Sequence, residues 1–313
     1  MTETRAYTPG SFAALTGLGR LAAKRAAMAE ASHPPIGEIV MVDGRRVHVH
    51  CQGSGRPLIL LHGAGGNLRD FTFDLAGRMA RTNTVYAFDR PGHGYTDTLH
   101  NHGESPKEQA EMLHKAAIAL GIPDALICGF SLGGVVALAW ALAEPGFVRG
   151  LLLLGAVSHP WPGGVGLTYT LAANTITSPF LVPLVAAFPP ETLVRNTLTS
   201  VFQPNQPPEG YLDYIGAGLS LRAHSIRANA RQVARLRPHV VEMAKRYAEL
   251  NIPVEILHGV EDRSVYAALH AANLSRVAPN SRYTLLPGVG HSPHHHAKPE
   301  VLAALARLNT LRG

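Results

Sequence analysis

The chain has few cysteines, a low charge density and one long stretch with no formal charge at all. Only Cys51 and Cys128 occur among 313 residues, too few for a disulfide-built scaffold. Neither an HExxH pattern nor paired cysteines are present. The run His291-Ser292-Pro293-His294-His295-His296 is therefore expected to be an incidental surface-loop cluster, with no metal site. A net charge of +6 is accompanied by no long Lys/Arg run and no nucleic-acid-binding module, so ordinary solubility explains it and no nucleic-acid partner is expected. Residues 150–190 contain no Asp, Glu, Lys or Arg, yet prolines at 160, 162, 179, 183, 189 and 190 interrupt them. A single membrane-crossing helix is excluded there.

Hydrophobic residues make up 46% of the chain, enough for one large core or a core with an insertion. Buried-strand runs alternate with helical patterns, as in a mostly parallel sheet covered on both faces. Asp43-Gly44 between two short alternating segments signals an antiparallel hairpin at the entry. The Leu58 strand, a helix near residues 71–79, the Val85 strand, a helix over 105–120, the Leu126 strand, a helix after Ser131 and a strand over 148–154 follow. Ser105 and Glu108 have the spacing of a capping box.

Chemistry concentrates at Gly129-Phe130-Ser131-Leu132-Gly133, between the apolar run 124–128 and the helical pattern that begins at Gly134. Small residues around a serine at a strand-to-helix turn allow a tight bend, with the hydroxyl exposed at the positive end of a helix. An alcohol is a weak nucleophile without a base, and the base needs a group that fixes its tautomer. His291, on a loop after the strand-like Arg282-Tyr283-Thr284-Leu285-Leu286, is the candidate base. Asp262, after the apolar run 252–257 and Gly259, is the candidate acid, with Glu261 as the neighbouring alternative.

The order Ser131, Asp262, His291 resembles that of the α/β-hydrolase superfamily, and the likeness extends from about Pro34 to the C-terminus. It rests on His62-Gly63, Asp89-Arg90-Pro91-Gly92-His93-Gly94, the serine turn and the Asp262/His291 pair. The resemblance implies an oxyanion hole formed by the backbone N–H groups of Ala64 and Leu132. His62 and the Asp89-Arg90 block are expected to order loops and not to take part in proton transfer. The family's sheet order would set the strands of Cys51 and Cys128 apart, so a disulfide is not expected and a reducing, cytoplasmic compartment is.

Under the same resemblance, residues 34–155 and 239–313 form the hydrolase core and 156–238 a helical cap. The uncharged cap sequence, with Trp161, Leu167, Tyr169, Leu171, Phe180, Leu181, Leu184 and Phe188, suggests an apolar substrate pocket, or residues that only pack the cap onto the core. Arg227, Arg231 and Arg235 form a cationic stripe in a helix that should stop before Pro238, more in keeping with a solvated or salt-bridged face than with a substrate carboxylate site.

Residues 1–33 form an N-terminal extension. Phe12, Leu15, Leu18 and Leu21 near helical spacing, with Arg20, Lys24 and Arg25, suggest a helix packed on the domain or a partly disordered segment; peripheral membrane contact is a further hypothesis from the basic amphipathic pattern.

The expected activity is hydrolysis of a carboxylic ester of a small to medium apolar substrate through an acyl-enzyme, with no cofactor. Carbon–carbon bond hydrolase, lactonase, thioesterase and perhydrolase activities share the same apparatus. Haloalkane dehalogenases and epoxide hydrolases place an aspartate where Ser131 stands and are disfavoured. A non-catalytic module that holds an apolar ligand is the reading from another class.

Overall fold

The computed structural model describes residues 17–310, so Phe12 and Leu15 of the expected N-terminal helix lie outside the described residues. Eight strands form one sheet: β1 (Glu38–Val42), β2 (Arg45–Gln52), β3 (Arg56–Leu61), β4 (Asn83–Phe88), β5 (Ala125–Phe130), β6 (Val148–Leu154), β7 (Val254–Gly259) and β8 (Ser281–Leu286). Their spatial order is β1-β2-β4-β3-β5-β6-β7-β8. The β1/β2 and β2/β4 pairs are antiparallel and every later pair is parallel. The hairpin turn falls at Asp43-Gly44, both with positive φ. β4 and β3 separate the strands that carry Cys51 and Cys128, and both thiols are free.

The helices in chain order are α1 (Gly17–Ser32), α2 (Arg69–Thr72), α3 (Leu75–Met79), α4 (Pro106–Ala119) and α5 (Leu132–Ala143). Between β6 and β7 come α6 (Leu167–Ala173), α7 (Ser178–Ala187), α8 (Glu191–Phe202), α9 (Tyr211–Ile215), α10 (Ala217–Ser220), α11 (Ala223–Ala234) and α12 (Leu236–Ala244). The last three are α13 (Ala271–Val277), α14 (Pro293–His296) and α15 (Lys298–Thr310).

The central strands have apolar side chains at successive positions because both faces are covered. Ile59, Leu61, Ile127, Leu151 and Leu153 pack on one side with Val136 and Trp140 of α5 and Leu113 of α4. Leu58, Leu60, Leu126, Leu152 and Leu154 pack on the other with Met79 of α3 and Val301 and Leu305 of α15. Since β3, β5, β6, β7 and β8 run parallel, their C-terminal ends share one edge, where ligands bind in open α/β sheets. Every candidate site residue lies on a segment leaving that edge.

The helix expected near residues 71–79 is two short helices. The break falls at Asp74, with φ −152° as N-cap of α3, whose carboxylate pairs with Arg78 at 2.7 Å and Lys298 at 2.6 Å. α11 ends at Ala234, and Pro238 lies in the first turn of α12, where its missing N–H costs no helical hydrogen bond.

The capping box of α4 is complete. The Glu108 N–H donates to Ser105 Oγ (3.2 Å), and the Ser105 N–H donates to Glu108 Oε2 (2.7 Å). Burial would raise the Glu108 carboxyl, but the hydrogen bonds from Ser105 and His100 outweigh it and bring it from 4.5 down to about 2. Because the folded value is the lower one, this contribution is full above 4.5 and is lost as pH falls toward 2. Replacing Ser105 with Ala should lower the unfolding free energy at neutral pH by about 1 kcal/mol, read as an earlier urea midpoint with unchanged slope.

Candidate active site

Ser131 is the N-cap residue of α5, with φ +53° and ψ −117°. This conformation is unfavourable for any residue with a Cβ. It is held by close approach on both sides. A Cβ at Gly133 would stand on the Leu61 carbonyl oxygen at the end of β3, and one at Gly129 would meet the Gly133 carbonyl. The Ser131 N–H donates to the Leu154 carbonyl (3.0 Å), tying the turn to β6.

His291 Nε2 lies 3.0 Å from Ser131 Oγ, and His291 Nδ1 lies 2.7 Å from Asp262 Oδ2. The carboxylate beside Nδ1 selects the tautomer with a proton on Nδ1, which leaves Nε2 free to accept from the serine hydroxyl. The other oxygen, Asp262 Oδ1, accepts the N–H groups of Ser264 and Val265, both at 2.9 Å. Glu261 has no such contact with His291. Burial alone would raise the Asp262 carboxyl; hydrogen bonds from His258 and His291 outweigh it and hold the group well below the usual carboxylate range. Ser131 keeps 9% of its surface exposed.

Leu132 opens α5 directly after Ser131, and Ala64 follows Gly63 on the loop after β3. Gly63 packs against Phe130 and Ser131, so that even a methyl group there would crowd them. The Gly65 N–H donates to Asn229 Oδ1 of α11 at 2.8 Å. His62 is fully buried, and its Nε2 accepts the Arg90 N–H (3.0 Å) while Nδ1 faces the Gly63 carbonyl (2.9 Å). Burial holds its pKa well below normal, assisted by Arg90. It is a neutral loop-ordering group. The Arg90 guanidinium donates to the His62 and Gly63 carbonyls, both at 2.8 Å. Asp89 accepts the N–H groups of Leu68 (2.7 Å) and Tyr95 (2.8 Å).

Sequence reasoning missed four residues that bear on this region. His258 Nε2 lies 3.0 Å from Asp262 Oδ2 and 2.7 Å from the Val265 carbonyl; its only sequence signal is its place four residues before the acid. Asn229, Asp70 and Tyr211 have no local signal at all.

The histidine run is not a surface loop. His294 and His295 are buried, sealed against Phe71, Phe130 and Phe202 as α14 turns under the insertion. Asp70 Oδ1 collects three donors: Tyr211 Oη at 2.8 Å, His295 Nε2 at 2.9 Å and His294 Nε2 at 3.2 Å. Burial opposes ionisation of Asp70, yet the two histidines outweigh it and keep the carboxyl well below normal.

The three groups lie close enough together to share a cation, within 4.8 Å of one another. Metal-bound imidazoles, however, normally donate their second N–H to an acceptor. Nδ1 of both His294 and His295 has no partner, which fits Nε2–H tautomers donating to a carboxylate. The cluster is a hydrogen-bonded node joining α2, α9 and the segment that carries His291.

Such a site on the C-terminal edge of a mostly parallel sheet defines a hydrolase with a serine at its strand-to-helix turn. A family model described as the alpha/beta hydrolase family matches residues 58–305. The chain belongs to that family, and it is a serine hydrolase.

Among curated relatives, it is 28% identical over 279 residues to the pimeloyl-(acyl-carrier protein) methyl ester esterase of Xylella fastidiosa (strain 9a5c), covering 83% of this chain and 97% of that enzyme. It is 36% identical over 135 residues to the 2-hydroxymuconate semialdehyde hydrolase of Pseudomonas putida; that match covers 43% of this chain and about half (48%) of the relative. An esterase from Rhodococcus sp. ECU1013 has the same fold, with a TM-score of 0.68 at 23% identity over 89% of this chain and 100% of that one.

Removing the Asp70 carboxylate leaves three buried donors without an acceptor. Asp70→Ala should cost about 3 kcal/mol of stability, measured by equilibrium denaturation.

Proposed function

We propose that the protein hydrolyses a carboxylic ester of a small to medium apolar substrate through an acyl-enzyme at Ser131. The observation that carries this reading is the unbroken hydrogen-bonded line from Ser131 Oγ through His291 to Asp262, at 3.0 and 2.7 Å. His291 Nε2 takes the hydroxyl proton as Oγ attacks the carbonyl carbon. The resulting oxyanion is received by the Ala64 and Leu132 N–H groups, at the positive end of α5. Collapse expels the alcohol, which takes the proton from His291. Water then repeats the sequence and releases the acid. Asp262, ionised throughout, holds the imidazole and stabilises its charged form. No step requires a cofactor.

Residues 156–238 act as a cap over this site in the same reading. Asn229 and Tyr211, which reach from them to Gly65 and Asp70, support that role. The cap does not present all of its apolar residues to a pocket, because Leu167, Phe180, Leu184 and Phe188 are exposed.

The esterase relative, aligned over most of both chains, favours ester cleavage. A carbon–carbon bond hydrolase is the second reading, favoured by the similarity to the semialdehyde hydrolase. Fold and triad are common to both, and pocket shape decides between them.

A panel of chromogenic esters of graded acyl length tests the first reading. Ser131→Ala should reduce turnover to background, and Asp262→Asn should lower kcat by about 10⁴-fold through the wrong imidazole tautomer. Tight ligand binding with no Ser131-dependent turnover of esters or ring-cleavage products would identify a binding module instead.

The pH dependence is equally specific. Because Asp262 is held well below the usual carboxylate range, its own protonation does not enter the acid limb. We expect kcat/KM to fall there with unit slope as Nε2 takes a proton. A slope of two, measured where chemistry limits the rate, would show that a second group is required.

A further inference from the structure

α7 is apolar around its whole circumference, and packing accounts for one side only. Ala186 and Ala187 are buried against Leu18, Leu21 and Ala22 of α1, and Val182 against Ala230 of α11. On the other side Phe180, Leu184 and Phe188, four residues apart, are 77%, 49% and 58% exposed. Leu167 and Ile176, in α6 and the turn before α7, are exposed as well. A patch of this kind marks an interaction surface, and residues 150–190 offer no charge to keep it in water.

The surroundings of the patch are basic. Immediately after Phe188, Pro189 lines a cavity of about 620 Å³ between α1 and α8, walled by Val194, Leu198 and Leu212 and carrying Arg25 and Arg195. Both arginines are exposed. Arg20 and Lys24, also on α1, are exposed too. No single helix among the described residues is long and apolar enough to cross a membrane. An apolar stripe beside exposed cations is the pattern of a surface that lies on an anionic interface.

We propose that this face docks on an anionic lipid surface, with Phe180, Leu184 and Phe188 entering the acyl boundary and Arg25 and Arg195 meeting lipid phosphates. The proposal is independent of which bond the enzyme cleaves.

The full chain should co-sediment with phosphatidylcholine vesicles that contain phosphatidylglycerol at about 0.1 M salt, and be released at about 1 M, where screening shortens to a few ångströms. Phe180→Ser combined with Phe188→Ser should lower partitioning by about tenfold or more. Arg25→Gln and Arg195→Gln should each lower it by about fivefold on the anionic vesicles and leave pure phosphatidylcholine unaffected. Far-UV circular dichroism and turnover of a soluble chromogenic ester should stay unchanged in all three variants. If the double variant fails to fold, Leu184→Gln serves in its place. Absence of sedimentation, or sedimentation indifferent to these substitutions, overturns the proposal. So does a dimer in size-exclusion chromatography that the same substitutions dissolve, because the face would then seat a second copy of the chain.

Discussion

Holding an L-residue at φ +53° costs on the order of 1–3 kcal/mol, and the rest of the site depends on that conformation at Ser131. It turns the chain from β5 into α5 within one residue and leaves the hydroxyl against His291 Nε2. The cost is tolerated because the neighbouring strands leave no alternative. Gly133 lies against the last carbonyl of β3, and the serine amide is committed to β6. The central part of the sheet thus fixes the nucleophile's position directly.

The acid is fixed with comparable redundancy. Asp262 receives two backbone amides on one oxygen and two imidazoles on the other, so its carboxylate plane cannot rotate without abandoning a buried donor. The imidazole of His291 is consequently held between an immobile acceptor and the hydroxyl. Proton transfer then requires little rearrangement, the condition under which electrostatic preorganisation is effective.

How much of this was legible beforehand depends on the span over which each interaction acts. The hairpin at Asp43-Gly44, the capping box at Ser105 and the serine turn are local patterns, each decided within about six residues, and the structure has them where the sequence placed them. The order of Ser131, Asp262 and His291 was legible through family resemblance. The node at Asp70 was not. Its partners lie 141, 224 and 225 residues away in the chain, and only folding the insertion over α2 brings them together. The histidine run was misplaced on the surface for the same reason: three consecutive polar side chains suggest solvent until an acceptor buried beneath them is known. The apolar residues of the insertion posed the converse problem, since an uncharged stretch does not say which of its faces turns inward.

Arg90 carries a consequence for the family's modular construction. It is wholly buried, and although burial lowers its pKa to about 9, it remains cationic at neutral pH. Its donors reach the carbonyls of residues 62 and 63 and, at 3.1 Å, the side-chain oxygen of Gln232 in α11. Asn229, one turn earlier on α11, holds the Gly65 amide. One helix of the insertion therefore completes the hydrogen bonding of the glycine-rich loop beside the serine. Grafting an insertion from another hydrolase onto this sheet would change more than the walls of the cavity. Unless its equivalent helix brought two acceptor oxygens to these same places, the graft would leave Arg90 one acceptor short, with only Gln109 and the two loop carbonyls, and an unanchored peptide at the tip of the loop.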